Sequence, residues 1–402
     1  MKRSLAILPY ARQTIDDDDV AAVAAVLRSD FLTTGPATEA FEAKLAEVTG
    51  APFAVSCSSG TAALHLAALA IGLKPGDRVV VPAITFLATA NAARHAGAEV
   101  IFADVAADSG LMEADHLAQA IEKGGDAVKA VFPVHLGGQC PDMPALAAVA
   151  RKHGLAIVED ACHAIGAEYS RPDGSACAVG ACADGDMAVF SFHPVKTIAM
   201  GEGGAITTND AALAARVRVL RNHGMTQDAD AFVHRDMAFD GDGGVNPWYY
   251  EMHEPGFNYR ASDIHCALGL SQLSKLEKFV ELRRALVERY NERLAPLAPR
   301  VRPVTRMPGG RPAWHLYQVL IDFEKIGISR ADLMRALRKA GIGTQVHYIP
   351  LHRQPYYRHR YGELRLPGAD AFYARGLTLP LFPAMTDRDV DAVVESLCRV
   401  LS

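Results

Sequence analysis

The chain has 402 residues, enough for a large domain with a full core plus a second, smaller one. Half of the residues are hydrophobic and 22% are charged, the balance of a globular enzyme. A formal charge of −5, with no basic run or stripe, excludes a nucleic-acid-binding protein, so an anionic ligand has to be held by local groups. No stretch reaches the apolar length that spans a bilayer, and the four residues between Ser4 and Pro9 are too few for a signal-peptide core. A cytoplasmic protein without a membrane partner is expected. The seven cysteines (57, 140, 162, 177, 182, 266 and 398) are odd in number and scattered, which argues against a disulfide framework. Cys177 and Cys182 lie near Asp173, Asp184 and Asp186, but their spacing is loose and no His is interleaved, so no metal site is expected.

In chain order, Val20, Val23, Val26 and Leu27 recur at helical spacing behind a run of aspartates, which places a helix over 16–29. Leu32-Thr-Thr-Gly-Pro36 breaks it, and 38–48 reads as a second helix. From Phe53 onward, apolar runs alternate with amphipathic segments. Strands are expected over 53–57, 78–81, 100–103, 130–134, 156–159 and 187–192, and helices over 62–73, 88–96, 114–123 and 143–152. That alternation calls for an α/β fold with a mostly parallel sheet covered on both faces. A strand over 205–208 and a helix over 210–221 follow. Residues 225–256, rich in Gly, Asp and aromatics, carry no period and read as a long functional or interface loop. Ile264, Leu268, Leu270, Leu273 and Leu276 predict one continuous linking helix over 261–294. Strand 316–321, helix 329–339, strand 343–348 and helix 387–401 then form a small α+β domain.

The chemistry is concentrated in Phe190-Ser-Phe-His-Pro-Val-Lys196, followed at once by Gly201-Glu-Gly-Gly204. A lysine is set beside a glycine-rich turn, and thirty-six residues upstream the apolar strand Leu155-Ala-Ile-Val158 runs into Glu159-Asp160. A buried amine and a strand-end carboxylate are what pyridoxal phosphate needs. The amine holds the cofactor as a Schiff base, and the carboxylate keeps the pyridine nitrogen protonated. Lys196 alone would read as a snorkelling surface residue. A third element joins the pair: Cys57-Ser-Ser-Gly-Thr61 ends a strand and opens a helix, leaving backbone N–H groups for a phosphate. An ordinary N-cap by Ser59 or Thr61 is the plainer alternative there. Ser191 offers a further hydroxyl. Phe86 stacks on the ring or fills the core, and His163 contacts the ring oxygen or covers a helix start. Asp104 and His135 also stand at strand ends, without a role assigned by their surroundings.

Together these segments resemble the fold-type I, pyridoxal-phosphate-dependent sugar aminotransferases of the DegT/StrS type. The likeness runs through Leu32-Thr-Thr-Gly-Pro36, Ser58-Ser-Gly-Thr-Ala-Ala-Leu64, Thr85-Phe-Leu-Ala-Thr-Ala-Asn91, Glu159-Asp-Ala-Cys-His-Ala164, the lysine motif, Arg221-Asn-His-Gly224 and Gly256-Phe-Asn-Tyr-Arg260. It implies Lys196 as the Schiff-base lysine, Asp160 on the pyridine nitrogen, and Ser59, Gly60, Thr61 and Ser191 near the phosphate. It also implies a homodimer in which Asn258 reaches the neighbour's phosphate region. The implied division is a large cofactor-binding domain over 1–260, then a linking helix and small domain over 261–402. Many relatives carry Gln at the position of His163.

Three details resemble the branch of that family that makes pseudaminic acid precursors: the opening Leu8-Pro-Tyr-Ala-Arg-Gln13, the Cys162-His163 pair with His193-Pro-Val195, and Gln345-Val-His-Tyr-Ile-Pro-Leu-His352. The resemblance implies L-glutamate as amino donor and UDP-2-acetamido-2,6-dideoxy-β-L-arabino-hex-4-ulose as acceptor, aminated at C4. Implied substrate contacts are Tyr10, Leu32, Thr33, Thr34, Gly35, Ser191, Asn258, Gln345, Val346, His347 and Tyr348. A different dTDP-, GDP- or UDP-linked keto-sugar is the alternative acceptor. A non-catalytic regulatory or binding protein is the alternative from another class.

Overall fold

The computed structural model describes residues 7–401; the opening residues 1–6, on which the reading of a signal segment partly rested, and residue 402 lie outside the described residues. Seven strands form the central sheet: β1 (Phe53–Cys57), β2 (Arg78–Pro82), β3 (Glu99–Ala103), β4 (Val128–Val131), β5 (Ala156–Asp160), β6 (Met187–Ser191) and β7 (Gly204–Thr208). Their spatial order is β1-β7-β6-β5-β4-β2-β3. All neighbours are parallel except β7, which runs antiparallel to both β1 and β6. The connection after β6, residues 192–203, contains no helix to carry the chain across the sheet face, and β7 returns antiparallel.

The strands alternate between two apolar cores, as a period of two requires. Val79 and Val81 of β2 lie in one core and Val80 in the other; Val189 of β6 joins the first, Ala188 and Phe190 the second. Helices from the βα connections cover both faces. Two glycines let the sheet end close tightly. A Cβ on Gly204 would stand 2.3 Å from the Ser59 carbonyl oxygen, and one on Gly60 would stand 2.7 Å from Ser191 Cβ. Neither backbone can move apart without opening the sheet.

A third core, including Tyr290, Val319, Leu333 and Val393, belongs to the C-terminal region. It lies on a three-stranded antiparallel sheet of β8 (Val301–Pro303), β9 (Tyr317–Ile321) and β10 (Gly376–Leu379). The helices Leu276–Leu294, Arg330–Lys339 and Asp387–Leu401 contribute to this core. Tyr357, Leu366 and Phe372 instead pack into the first large core, tying the C-terminal region to the sheet.

Three expectations require correction. The linking helix is two helices, Asp263–Leu273 and Leu276–Leu294. Between them Lys275 leaves the helical path to pair with Asp16 and, at 2.9 Å, with Asp19; a leucine repeat cannot register that contact. The expected strand over 343–348 does not form. Gln345 makes a single bridge to Thr378, and its side chain accepts the next amide, from Val346, at 2.9 Å. The strands that flank β9 are β8 and β10, both short and neither expected. The aperiodic 225–256 region is organised by a carboxylate: Glu251 accepts the amides of Val233 and His234 and the Tyr249 hydroxyl, each at 2.8 Å in its shortest contact.

Candidate active site

A cavity of about 580 Å³ opens at the C-terminal ends of β5 and β6, a usual place for ligands in a sheet of this kind. Of the expected residues, Tyr10, Ser59, Gly60, Thr61, Phe86, Asp160, His163, Ser191, Lys196, Gln345, Val346, His347 and Tyr348 all line it. These residues come from six separate stretches of chain.

Asp160 ends β5 with its carboxylate 5% exposed as a residue. Thr89 Oγ1 donates to Oδ2 at 2.6 Å, and the Cys162 amide donates to Oδ1 at 3.2 Å. Thr85 Oγ1 lies 2.7 Å from Thr89 Oγ1, so a hydroxyl chain leads to the carboxylate. Behind it, His135 donates its amide to the Asp160 carbonyl at 3.1 Å, while its Nε2 lies 2.8 Å from Glu159 Oε2. Burial opposes protonation of that ring, but Cys140 and the Glu159 carboxylate outweigh it and raise its pKa to about 10. The His135–Glu159 pair thus lies under the strand end that presents Asp160.

Lys196 sits in the turn after β6 and keeps contact with the cavity, while its ammonium is enclosed by protein. Loss of water lowers its pKa, and Cys162 and Asp160 act in the opposite direction. That balance favours an amine that can be neutral and nucleophilic. Its positive charge is also felt by three buried imidazoles. Burial first, then Lys196, holds His163 well below its ordinary pKa and His347 at about 3; burial, then His163 and Lys196, does the same to His315.

The helix Gly60–Ala70 points its N-terminus at the cavity. Ser59 is indeed the N-cap, its hydroxyl accepting the Ala62 amide at 3.1 Å. The cap and the anion site are compatible, because the amides of Gly60 and Thr61 have no intrahelical acceptor in a first turn. Ser191 lies against Gly60 across the close approach described above. A lysine, a facing carboxylate and an N-terminal cradle with hydroxyls therefore fit pyridoxal phosphate, with Phe86 half exposed at the rim.

Five expected residues are elsewhere. Leu32, Thr33, Thr34 and Asn258 are exposed, and Gly35 is buried against Asp263. Asn258 bridges Asn222 and Thr33 bridges Ser262. Thr34 and Gly35 border a second recess, of about 460 Å³, with Arg218, Asn222 and Arg260. Sequence reasoning missed Thr89 and His315. Thr85, just before the helix Leu87–His95, and Thr89 in its first turn stand four apart, which was a usable signal; nothing near His315 was.

Among the described residues, no group of three or more His, Cys, Asp or Glu could hold a metal ion, and no helix is long and apolar enough to cross a membrane.

A predominantly parallel sheet with this lysine, carboxylate and helix terminus at its carboxyl edge is the architecture of the fold-type I, pyridoxal-phosphate-dependent transferases. The chain belongs to the DegT/DnrJ/EryC1/StrS aminotransferase family, whose profile matches residues 13–398. It is 38% identical over 393 residues to the spore coat polysaccharide biosynthesis protein SpsC of Bacillus subtilis, covering 97% of this chain and 96% of that one. Among solved structures it is similar to the putative sugar aminotransferase Spr1654 of Streptococcus pneumoniae in its PLP form (29% identity, TM-score 0.86, 98% of both chains). It is also similar to Helicobacter pylori PseC, an aminotransferase involved in the biosynthesis of pseudoaminic acid (27% identity, TM-score 0.86, 98% of this chain and 99% of that one).

Proposed function

We propose that this sugar aminotransferase moves the amino group of L-glutamate to C4 of UDP-2-acetamido-2,6-dideoxy-β-L-arabino-hex-4-ulose, giving UDP-4-amino-4,6-dideoxy-N-acetyl-β-L-altrosamine. The observation that carries the aminotransferase part is the meeting of Lys196, Asp160 and the Ser59-Gly60-Thr61 helix start in one cavity. The sugar rests on the Leu8–Gln13, Cys162-His163 and Gln345–His352 motifs and on the likeness to PseC. Another keto-sugar nucleotide is the second reading, favoured by the higher identity to SpsC, a protein of spore coat polysaccharide biosynthesis.

When bound, pyridoxal phosphate supplies an electron sink for the carbanionic stage of the transfer. Asp160 keeps the pyridine nitrogen protonated, steadied by Thr89 and the Cys162 amide. Ser59, Gly60, Thr61 and Ser191 would hold the phosphate, with Phe86 and His163 placed to contact the ring. Lys196 Nζ, once free, takes the proton from Cα of glutamate and returns one to C4 of the sugar. Tyr10, Gln345, Val346, His347 and Tyr348 line the sugar side. Leu32, Thr33, Thr34, Gly35 and Asn258 serve the neighbouring subunit's cavity in a cytoplasmic homodimer; the exposure of Leu32, Thr33, Thr34 and Asn258, and the place of Thr34 and Gly35 at the second recess, support that role. The large unit 1–260 then carries the cofactor, and 261–402 closes over it.

The test is a panel of UDP-, dTDP- and GDP-linked 4-keto sugars with glutamate and cofactor, read by 2-oxoglutarate release. Preference for the UDP-linked acetamido sugar supports the first reading, and preference for another sugar selects the second.

A further inference from the structure

Tyr348 enters the cavity from the C-terminal region, its ring 5.9 Å from that of Phe86. Its hydroxyl lies 3.2 Å from His163 Nε2. The other imidazole nitrogen, Nδ1, lies 3.2 Å from the amide of Gly137. An amide N–H can only donate, so Nδ1 is an acceptor, and a neutral ring must carry its hydrogen on Nε2. The ring is neutral because it is buried, with Lys196 adding repulsion. His315 packs against it with ring centroids 4.6 Å apart, which fixes its plane. His163 Nε2 therefore donates to the Tyr348 oxygen, and the phenol has to send its own hydrogen elsewhere. Among the described residues no protein group accepts it; the cavity lies in that direction.

We propose that Tyr348 is the hydrogen-bond donor that seats the carbonyl oxygen of the sugar substrate, and that His163 is the residue that positions it. The proposal rests on the aminotransferase reading. Phe86, the neighbour of Tyr348, is 53% exposed at the mouth, and the less exposed Tyr348 stands inside it, where a sugar enters after the cofactor is already seated. A fixed donor at that point polarises the C4 carbonyl before the amine attacks, and it rejects an analogue without that oxygen. Burial raises the phenol's pKa well above its ordinary value, so Tyr348 keeps its hydrogen and acts as a polarising donor, not as an acid. The imidazole confers direction. Without the incoming Nε2 hydrogen, the phenol would donate back to a histidine nitrogen and its hydrogen would be lost to the cavity.

The two half-reactions separate the possibilities. Glutamate converts the cofactor-loaded enzyme to its aminated form with a change in visible absorbance, and the keto-sugar reverses it. Tyr348→Phe should slow the sugar half on the order of a hundredfold, as loss of one preorganised donor does, and the glutamate half far less. His163→Gln, which can still accept from Gly137 and donate to Tyr348, should keep most of the sugar half; His163→Leu should approach Tyr348→Phe. In the protein without cofactor, ¹⁵N spectra of labelled histidine should show His163 protonated at Nε2. Equal slowing of both halves in Tyr348→Phe would overturn the assignment, as would a hydrogen on Nδ1. Failure of the wild-type protein to convert with glutamate would instead overturn the aminotransferase reading beneath it.

Discussion

Thr89 Oγ1 donates to Asp160 Oδ2 at 2.6 Å, joining the first turns of the helix after β2 to the carboxylate at the end of β5. Hydrogen bonds to a charged group contribute about 1.5–3 kcal/mol, and a buried one left unpaired costs comparably. Thr89→Val keeps the shape and removes the donor, so it should lower unfolding free energy by about 1–3 kcal/mol, while Thr89→Ser loses less. Urea denaturation of the three proteins checks this; an unchanged midpoint for Thr89→Val would show the bond to be idle.

Lys196→Ala should bind cofactor without the yellow absorbance of the lysine-linked form and leave no adduct after borohydride reduction. A variant that still transaminates near the wild-type rate would remove Lys196 from the reaction.

Asp160→Asn preserves volume but loses the charge that keeps the pyridine nitrogen protonated. The rate should fall on the order of a hundredfold or more with cofactor still bound, the usual loss for a preorganised electrostatic group. Full turnover in a cofactor-saturated Asp160→Asn protein would mean that another group supplies that charge.

Exposed Asn258 is expected to act in the neighbour's site. Inactive Asn258→Ala chains mixed with inactive Lys196→Ala chains should regain activity, since one site of each mixed dimer then has both residues. Mixed dimers that form and stay dead would confine Asn258 to its own chain.

Acid should destabilise the protein through its buried imidazoles. His347 has a folded pKa of about 3 against an ordinary 6.5, and His163 and His315 are lowered in the same direction by burial. The unfolded chain therefore binds more protons below pH 6.5. The stability that His347 provides is complete above that pH and is lost as pH falls from about 6.5 toward 3, at up to about 1.4 kcal/mol per pH unit, and His163 and His315 add loss in the same direction. Urea unfolding at pH 7.5 and pH 5 should show the loss, and His347→Gln should reduce it; an identical pH dependence in that variant would exclude His347.

Most of the sheet was legible because its strands are short apolar runs bounded by turns, as with 53–57, which needed no revision; the helix over 143–152 needed none either. The C-terminal region was less so. Val301–Pro303 and Gly376–Leu379 are three and four residues long, below the length at which a period can be counted, and they are strands only because β9 lies between them. In the site, motif order placed Asp160, Lys196 and the helix start in one cavity. It could not disclose Thr89 as a carboxylate partner, nor that both nitrogens of His163 are engaged, because those contacts depend on how distant segments meet. The linking helix broke where Lys275 met Asp16, a partnership 259 residues apart.

The seating of β7 between β1 and β6 sets an order on synthesis. β1 carries the Ser59 helix start at its end and β6 leads to Lys196, yet the two strands are joined only through Gly204–Thr208. A nascent chain that has not yet released residue 208 from the ribosome has the Ser59 and Lys196 segments but no strand between β1 and β6 to set their register. Contacts of such long sequence separation form late. Cofactor capture should therefore be a late event in the life of each new molecule, and fragments ending before β7 should float free of it.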